Sequence, residues 1–276
     1  LLEVADRSGN RNWWASAREI NQSLCLARGN WQAAREFADQ GLALMPTDSN
    51  LLGSGALVEY AVGDFETGEA YLKRLLEIQR GQSEMPLFFP DVGAWTVPIV
   101  VFPMVARCTE ATDCFDMLEA AARSIISSPS AYLGAVQGAR IGLALIAVQQ
   151  GGGKEAKGLH DSLQELRGTV YPQAPVGPGM AIDRLLGMLS HTMAELDQAA
   201  THFEAALAFC RNAGYRPELA WTCCDYADAL RDRDGDGDGD RTKAVALLDE
   251  SLAISSELGM RPLMERVLSR REILKA

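Results

Sequence analysis

The densest run of groups that could do chemistry is acidic. Asp232, Asp234, Asp236, Asp238 and Asp240 alternate with Arg233, Gly235, Gly237 and Gly239. Carboxylates at alternate positions with a glycine at the sixth are the layout of a calcium loop, which also needs a bidentate Glu at its twelfth. Counted from Asp232, the sixth position is Gly237, but the twelfth is Lys243; a frame shifted by two residues puts Val245 there. The run reads as a soluble insertion between the two helices of one repeat, and no metal is expected on it. His160, His191 and His202 are dispersed and lack the HExxH spacing of a zinc protease. Gly151-Gly152-Gly153-Lys154 is followed by Glu155 and has the wrong spacing for a phosphate-binding loop. The six cysteines show no paired CxxC. They read as small buried apolar residues in a reducing compartment. Cys108 and Cys114, which flank a short polar loop, are the one pair placed for a redox switch. No nucleophile elbow or paired catalytic carboxylates can be argued, and the Asp and Glu residues read as solvated helix faces. The expectation is a protein that is not an enzyme, with no catalytic residues, no metal and no cofactor.

A net charge of −11 argues in the same direction, because such a surface repels nucleic acid and anionic lipid. The most membrane-like stretch, 92–106, is too short to span a bilayer and is interrupted by Pro98 and Pro103. No leader pattern is visible, and a cytoplasmic protein is expected. With 47% hydrophobic and 23% charged residues, the chain is globular in composition.

The elements that would carry any site emerge when the chain is aligned with itself. Residues 1–11, 206–216 and 251–261 match without gaps, each with a Leu seven residues before a Gly and an Arg two residues after it. Gly9, Gly214 and Gly259 suit the left-handed position just past a helix end. Pro217 and Pro262 then supply the preset φ of a new first turn. The chain is expected to open on the closing helix of a repeat, as a piece of a longer array. Gly29-Asn30-Trp31-Gln32-Ala33-Ala34 resembles Gly63-Asp64-Phe65-Glu66-Thr67-Gly68, at an offset of 34 residues. Asn30 and Asp64 are N-caps in this reading, Trp31 and Phe65 are aromatic wedges, and Ala34 and Gly68 mark close helix approach. Pro46 ends that unit. Leu186-Gly187, then Ala199, Phe203 and Ala206 along one stripe, make the clearest single copy. The next has Trp221, then Ala244, Leu248 and Leu252.

Weaker units are expected with helices at 92–107 and 113–127, and from 131 to 167 around Gly151-Gly152-Gly153. The run 171–179, rich in Pro and Gly, cannot be helix. The expected organisation is therefore an N-terminal group of helix pairs over 1–168, a linker at 169–179, C-terminal pairs over 180–262 and a capping helix at 263–276. On that last helix Arg266, Arg270, Arg271 and Lys275 would form a polar outer face. The apolar segment from Pro86 to Trp95 and on to Phe102-Pro103 is either the wall of a ligand groove or, the favoured reading, an irregular piece of core.

These residues resemble the tetratricopeptide (TPR) repeat, whose period is 34. The resemblance implies an all-α solenoid, a right-handed superhelix of antiparallel helix pairs. Asp183-Arg184-Leu185-Leu186-Gly187, Tyr215-Arg216-Pro217-Glu218-Leu219-Ala220-Trp221 and Leu258-Gly259-Met260-Arg261-Pro262 further resemble the C-terminal helical tails of large bacterial ATPase and adenylate-cyclase-type signalling regulators. In TPR arrays the first helix of each pair lines the concave side. That implies Asn50, Tyr60, Arg184, His191 and Tyr226 as a partner-binding face. The expected role is a non-catalytic scaffold for a protein or peptide, or for other domains of a larger parent chain, in a signalling protein. Self-association is a further option. The alternative is a sensor that takes a small-molecule effector inside the superhelix. An array of this kind is quasi-one-dimensional, so overpacking at Ala34 is expected to loosen only the N-terminal repeats.

Overall fold

Glycine stops and polar caps divide the chain into helices. The structure, a computed structural model, describes residues 3, 11–83, 95–109, 111–171, 179–233 and 238–275. Thirteen helices follow one another among them: α1 (Arg11–Arg28), α2 (Trp31–Leu44), α3 (Ser49–Val62), α4 (Phe65–Ser83), α5 (Thr96–Thr109), α6 (Phe115–Ser127), α7 (Leu133–Gln150), α8 (Gly153–Leu163), α9 (Ile182–Thr192), α10 (Leu196–Ala213), α11 (Arg216–Arg233), α12 (Asp238–Leu258) and α13 (Arg261–Lys275). The protein is all-α. Its extended structure among the described residues is one antiparallel pair of two-residue strands, β1 (Val170–Tyr171) with β2 (Met180–Ala181), in the register Val170↔Ala181. That pair ties together the two ends of the Pro/Gly-rich run, whose residues 172–178 lie outside the described ones.

Gly29, Gly63, Gly214 and Gly259 all have positive φ, between 67° and 81°, and each follows a helix; Gly9 lies outside the described residues. Asn30 and Asp64 accept the backbone N–H groups of Ala33 and Thr67 as N-caps. Close approach is real at both expected positions. Ala34 is fully buried, and a Cβ on Gly68 would stand 2.6 Å from the Tyr60 ring.

Consecutive helices pack side by side, α1 on α2, α3 on α4, α6 on α7, α9 on α10 and α11 on α12. The odd-numbered helices also touch in series: α3 on α5, α5 on α7, α7 on α9, α9 on α11 and α11 on α13. The series then returns on itself. Helix α13 packs on α3, and α1 packs on α11. Trp31 Nε1 donates to Leu258 O at 2.6 Å, and Arg261 Nε donates to Val62 O at 2.7 Å. Arg261 thus satisfies a carbonyl left open at the end of α3. Helix α13 therefore has a packed inner face, while Glu265, Leu268 and Glu272 on it are exposed. Arg266 points inward, while Arg270 and Arg271 reach Asp228 and Asp249.

Two large apolar clusters meet at α5 and α7. Val100, Ile141 and Leu145 belong to one, while Ile99, Val101, Leu143 and Ile146 belong to the other. The first cluster runs from Val100 to Val267, continuous across 169–179. Pro103 lies inside α5, and most of that helix is buried; residues 92–94 of the expected helix lie outside the described ones. Pro103 has no N–H for the Ile99 carbonyl. Gly142 of α7 packs against that carbonyl so closely that a Cβ would come within 2.5 Å of the oxygen. The described part of the segment, from Trp95 on, is core; its part at 86–94 lies outside the described residues.

Candidate interior binding site

Glu218, Trp221 and Asp225 recur on α11 at the spacing that keeps them on one helix face. Because α11 is an inner helix, that face meets α5, α9 and α13 rather than water. Arg184, in the first turn of α9, donates from Nε to Asp225 Oδ2 at 2.8 Å and from a terminal nitrogen to Glu218 Oε2 at 2.7 Å. Arg107, at the end of α5, pairs with the other Asp225 oxygen. The second Glu218 oxygen accepts the Ala181 N–H at 2.9 Å. Three guanidinium groups surround the Trp221 ring, with Arg107 at 4.7 Å, Arg184 at 5.6 Å and Arg266 at 5.9 Å from its centre. Cations over an indole face gain electrostatic attraction, the more so when desolvated.

Burial sets the electrostatics of this network. It pulls the Asp225 carboxyl up, but Arg107 and Arg184 outweigh it and hold Asp225 well below the ordinary carboxylate range. Burial pushes Glu218 up by more than its single cation, Arg184, draws it down. Burial also lowers Arg107 despite the pull of Asp225. The expectation that Asp and Glu all sit on solvated faces is therefore corrected: Glu59, Asp183, Glu218 and Asp225 are buried.

Two cavities flank the network, and Arg107 borders both. One is a half-open chamber of about 620 Å³ whose mixed walls include Gln149, His191, Asp225, Asp228 and Arg266 beside Ala106, Val148 and Met188. The other is about 100 Å³, walled by Trp31, Tyr60, Tyr215, Trp221 and Met260.

The five residues expected on one concave face separate. Tyr60 is buried against the small cavity, donates to Glu69 at 3.1 Å, and has its hydroxyl pushed up to about 12, first by burial. Arg184 sits in the ion network beside that cavity. His191 lines the chamber, 2.8 Å from Asp232. Asn50 borders neither cavity; it bonds the Glu19 carboxyl at the base of α3. Tyr226 is a correction. It is 1% exposed and stacks on Phe203 at 5.3 Å, in the core between α10 and α11. One helical step past the inner-facing Asp225 turns it away from the interior. Arg107, Trp221, Glu218, Asp225 and Arg266 were missed. The Glu218–Trp221–Asp225 spacing was the available signal.

Away from the interior, His160 and His202 meet, Nε2 to Nε2 at 3.3 Å, with Asp183 behind His202 at 3.5 Å. Burial lowers His160, and His202 adds to the effect. Among the described residues no group of three or more His, Cys, Asp or Glu could hold a metal. All six cysteines are free thiols. Burial pushes Cys108 up to about 11, which keeps it in the unreactive thiol form. Asp232 and Arg233 belong to α11 and Asp238 to Asp240 belong to α12, so the acidic run is shorter as a loop than expected; residues 234–237 lie outside the described ones. No described helix is long and apolar enough to cross a membrane. The chain matches no protein-family model, no curated protein and no solved structure.

Proposed function

We propose that the chain is a non-catalytic, TPR-like array of antiparallel helix pairs, wound right-handed, that takes a small molecule in its interior chamber. The parent context suggested by the resemblance is a bacterial signalling protein, in which occupancy of the chamber would shift the regulator between states. One observation carries the choice of ligand size: the first helix pairs bond to the last, through Trp31 to Leu258 and Arg261 to Val62. An extended peptide needs a groove open at both ends, and here the inner carboxylates and guanidiniums already bind one another. A chamber of about 620 Å³ suits a compact ligand instead.

Native mass spectrometry of the protein incubated with a small-molecule extract tests the reading. A bound mass of a few hundred daltons is expected, and it should disappear in Thr192→Trp, which fills the chamber from α9. Retention of that mass by a folded Thr192→Trp protein would place the ligand elsewhere. Binding of extended peptides with no small molecule captured would return the reading to a peptide scaffold.

A further inference from the structure

Every carboxylate oxygen lining the chamber already has a cation. Asp225 gives one oxygen to Arg107 and the other to Arg184. Asp228 gives Oδ1 to Arg231 and Oδ2 to Arg270. His191, also in the wall, is engaged with Asp232. Arg266 is the cation left over. It forms no ion pair among the described residues, and its Nε is buried without a hydrogen-bond partner. Its one hydrogen bond among the described residues is a long one, 3.5 Å, from a terminal nitrogen to the Arg107 carbonyl. The Trp221 ring on one side and the end of α5 on the other fix this guanidinium at the chamber wall. A buried donor without an acceptor is destabilising, more so when charged, unless something supplies the acceptor.

We infer that Arg266 is the anchor for an oxyanion, a carboxylate or a phosphate, on the small molecule that occupies the chamber. A guanidinium presents a planar fork of donors that matches either group bidentately. Arg107, beside it, adds positive potential without being free to pair. Gln149 and Thr112 line the same wall and supply neutral polar contacts for the rest of the ligand. Selection against cations follows, because Asp225 and Asp228 have no free oxygen to offer one.

The inference rests on the interior-ligand reading, and its test separates the two. Citrate and adenosine monophosphate serve as carboxylate and phosphate probes, and adenosine as the neutral control. Binding is measured by calorimetry on the full chain at constant ionic strength. At least one of the two anions should bind, and adenosine should bind at least tenfold more weakly or not at all. Arg266→Gln should weaken the anion tenfold or more with the melting temperature kept. Arg266→Lys should restore part of the loss. Thr192→Trp should abolish binding. The carboxylate binding without the phosphate, or the reverse, tells which oxyanion is preferred and supports the inference either way. If neither anion binds, if adenosine binds as well as the anions, or if Arg266→Gln leaves affinity unchanged, the inference is wrong. The interior-ligand reading would survive any of these results provided the mass found in the native spectra still depends on Thr192. Should Arg266→Gln not fold, Arg266→Lys carries the same decision through the salt dependence of the anion affinity. A slope equal to that of the parent supports Arg266 as the anchor when the affinity falls, and an unchanged affinity counts against it.

Discussion

Glu19 on α1 is 8% exposed, and its Oε1 is buried with no hydrogen-bond partner among the described residues. Burial first, and Asp48 second, push its carboxyl from 4.5 up to about 8, against the pull of the Asn50 side chain. The folded protein thus keeps a proton on Glu19 that the unfolded chain loses near pH 4.5. Stability from this group is complete below about pH 4.5 and drains away as pH rises toward about 8. Glu19→Gln should therefore match the parent at pH 4.5 and exceed it progressively above. The gap should widen by about 1.4 kcal/mol per pH unit until about pH 8. Urea titrations across pH check it, and parallel profiles for the two proteins would contradict the assignment. Asp225 has the opposite character, since two buried guanidiniums depend on it. Asp225→Asn should cost about 3–5 kcal/mol at neutral pH, the usual penalty for breaking a buried pair from one side. A loss under about 1 kcal/mol, typical of exposed ion pairs, would mean that water reaches the network.

At the scale of the helix, Ala194 and Gly142 make separable predictions. Ala194, in the turn between α9 and α10, is the one described residue other than glycine at positive φ, 60°. The corresponding turns after α1, α3 and α7 use Gly29, Gly63 and Gly151. A left-handed L-residue costs about 1–2 kcal/mol, so Ala194→Gly should raise the melting temperature by a few degrees. Gly142→Ala should lower stability by about 1–3 kcal/mol, since its Cβ would meet the Ile99 side chain and carbonyl. Gly158→Ala on α8, where a Cβ meets nothing, should instead stabilise by about 0.5–1 kcal/mol. The same contrast explains what could be read from residues alone. Gly29, Gly63, Gly214 and Gly259 announced their helix ends because a left-handed stop strongly favours glycine, whereas Ala194 makes such a turn without that signal. Helices α5 and α7 gave a weak repeat signal because each is buried on two sides, by two clusters, which erases the one-sided stripe on which periodicity depends. The site was harder still. Arg107 and Arg266 come from separate helices, and nothing local distinguishes them from the surface charges around them, whereas Arg184 stood on the expected inner face and Asp225 shared a helix spacing with Glu218 and Trp221. Tyr226 was misplaced because a single residue's step around α11 separates the ion network from the core.

On the scale of the molecule, the contact between first and last helices changes how damage spreads. In an open array, Ala34→Leu would loosen its own repeat and the next. Here Ala34 lies three residues along α2 from Trp31, whose N–H is bonded to Leu258 at the end of α12. Amide exchange in Ala34→Leu should therefore rise in α1 and α2 and also around the α12–α13 turn, with α7 and α8 least affected. Trp31→Phe, which keeps an aromatic wedge but loses the donor, should loosen the junction alone. Exchange confined to α1–α4 in both variants would mean that the junction transmits nothing.

The return of α13 to α3 and of α1 to α11 also constrains the number of helix pairs. An open array can gain or lose a helix pair by duplication or deletion, and each end remains as it was. A closed one has to return to its starting point, so the rotation contributed by each pair is fixed by the count. A copy of the α9–α10 pair spliced into the chain would carry Leu258 past Trp31 and Arg261 past Val62, and would widen the chamber that Arg266 now reaches across. Changes on outer helix surfaces leave that return untouched, whereas a change in the tally of pairs breaks it at every junction contact at once.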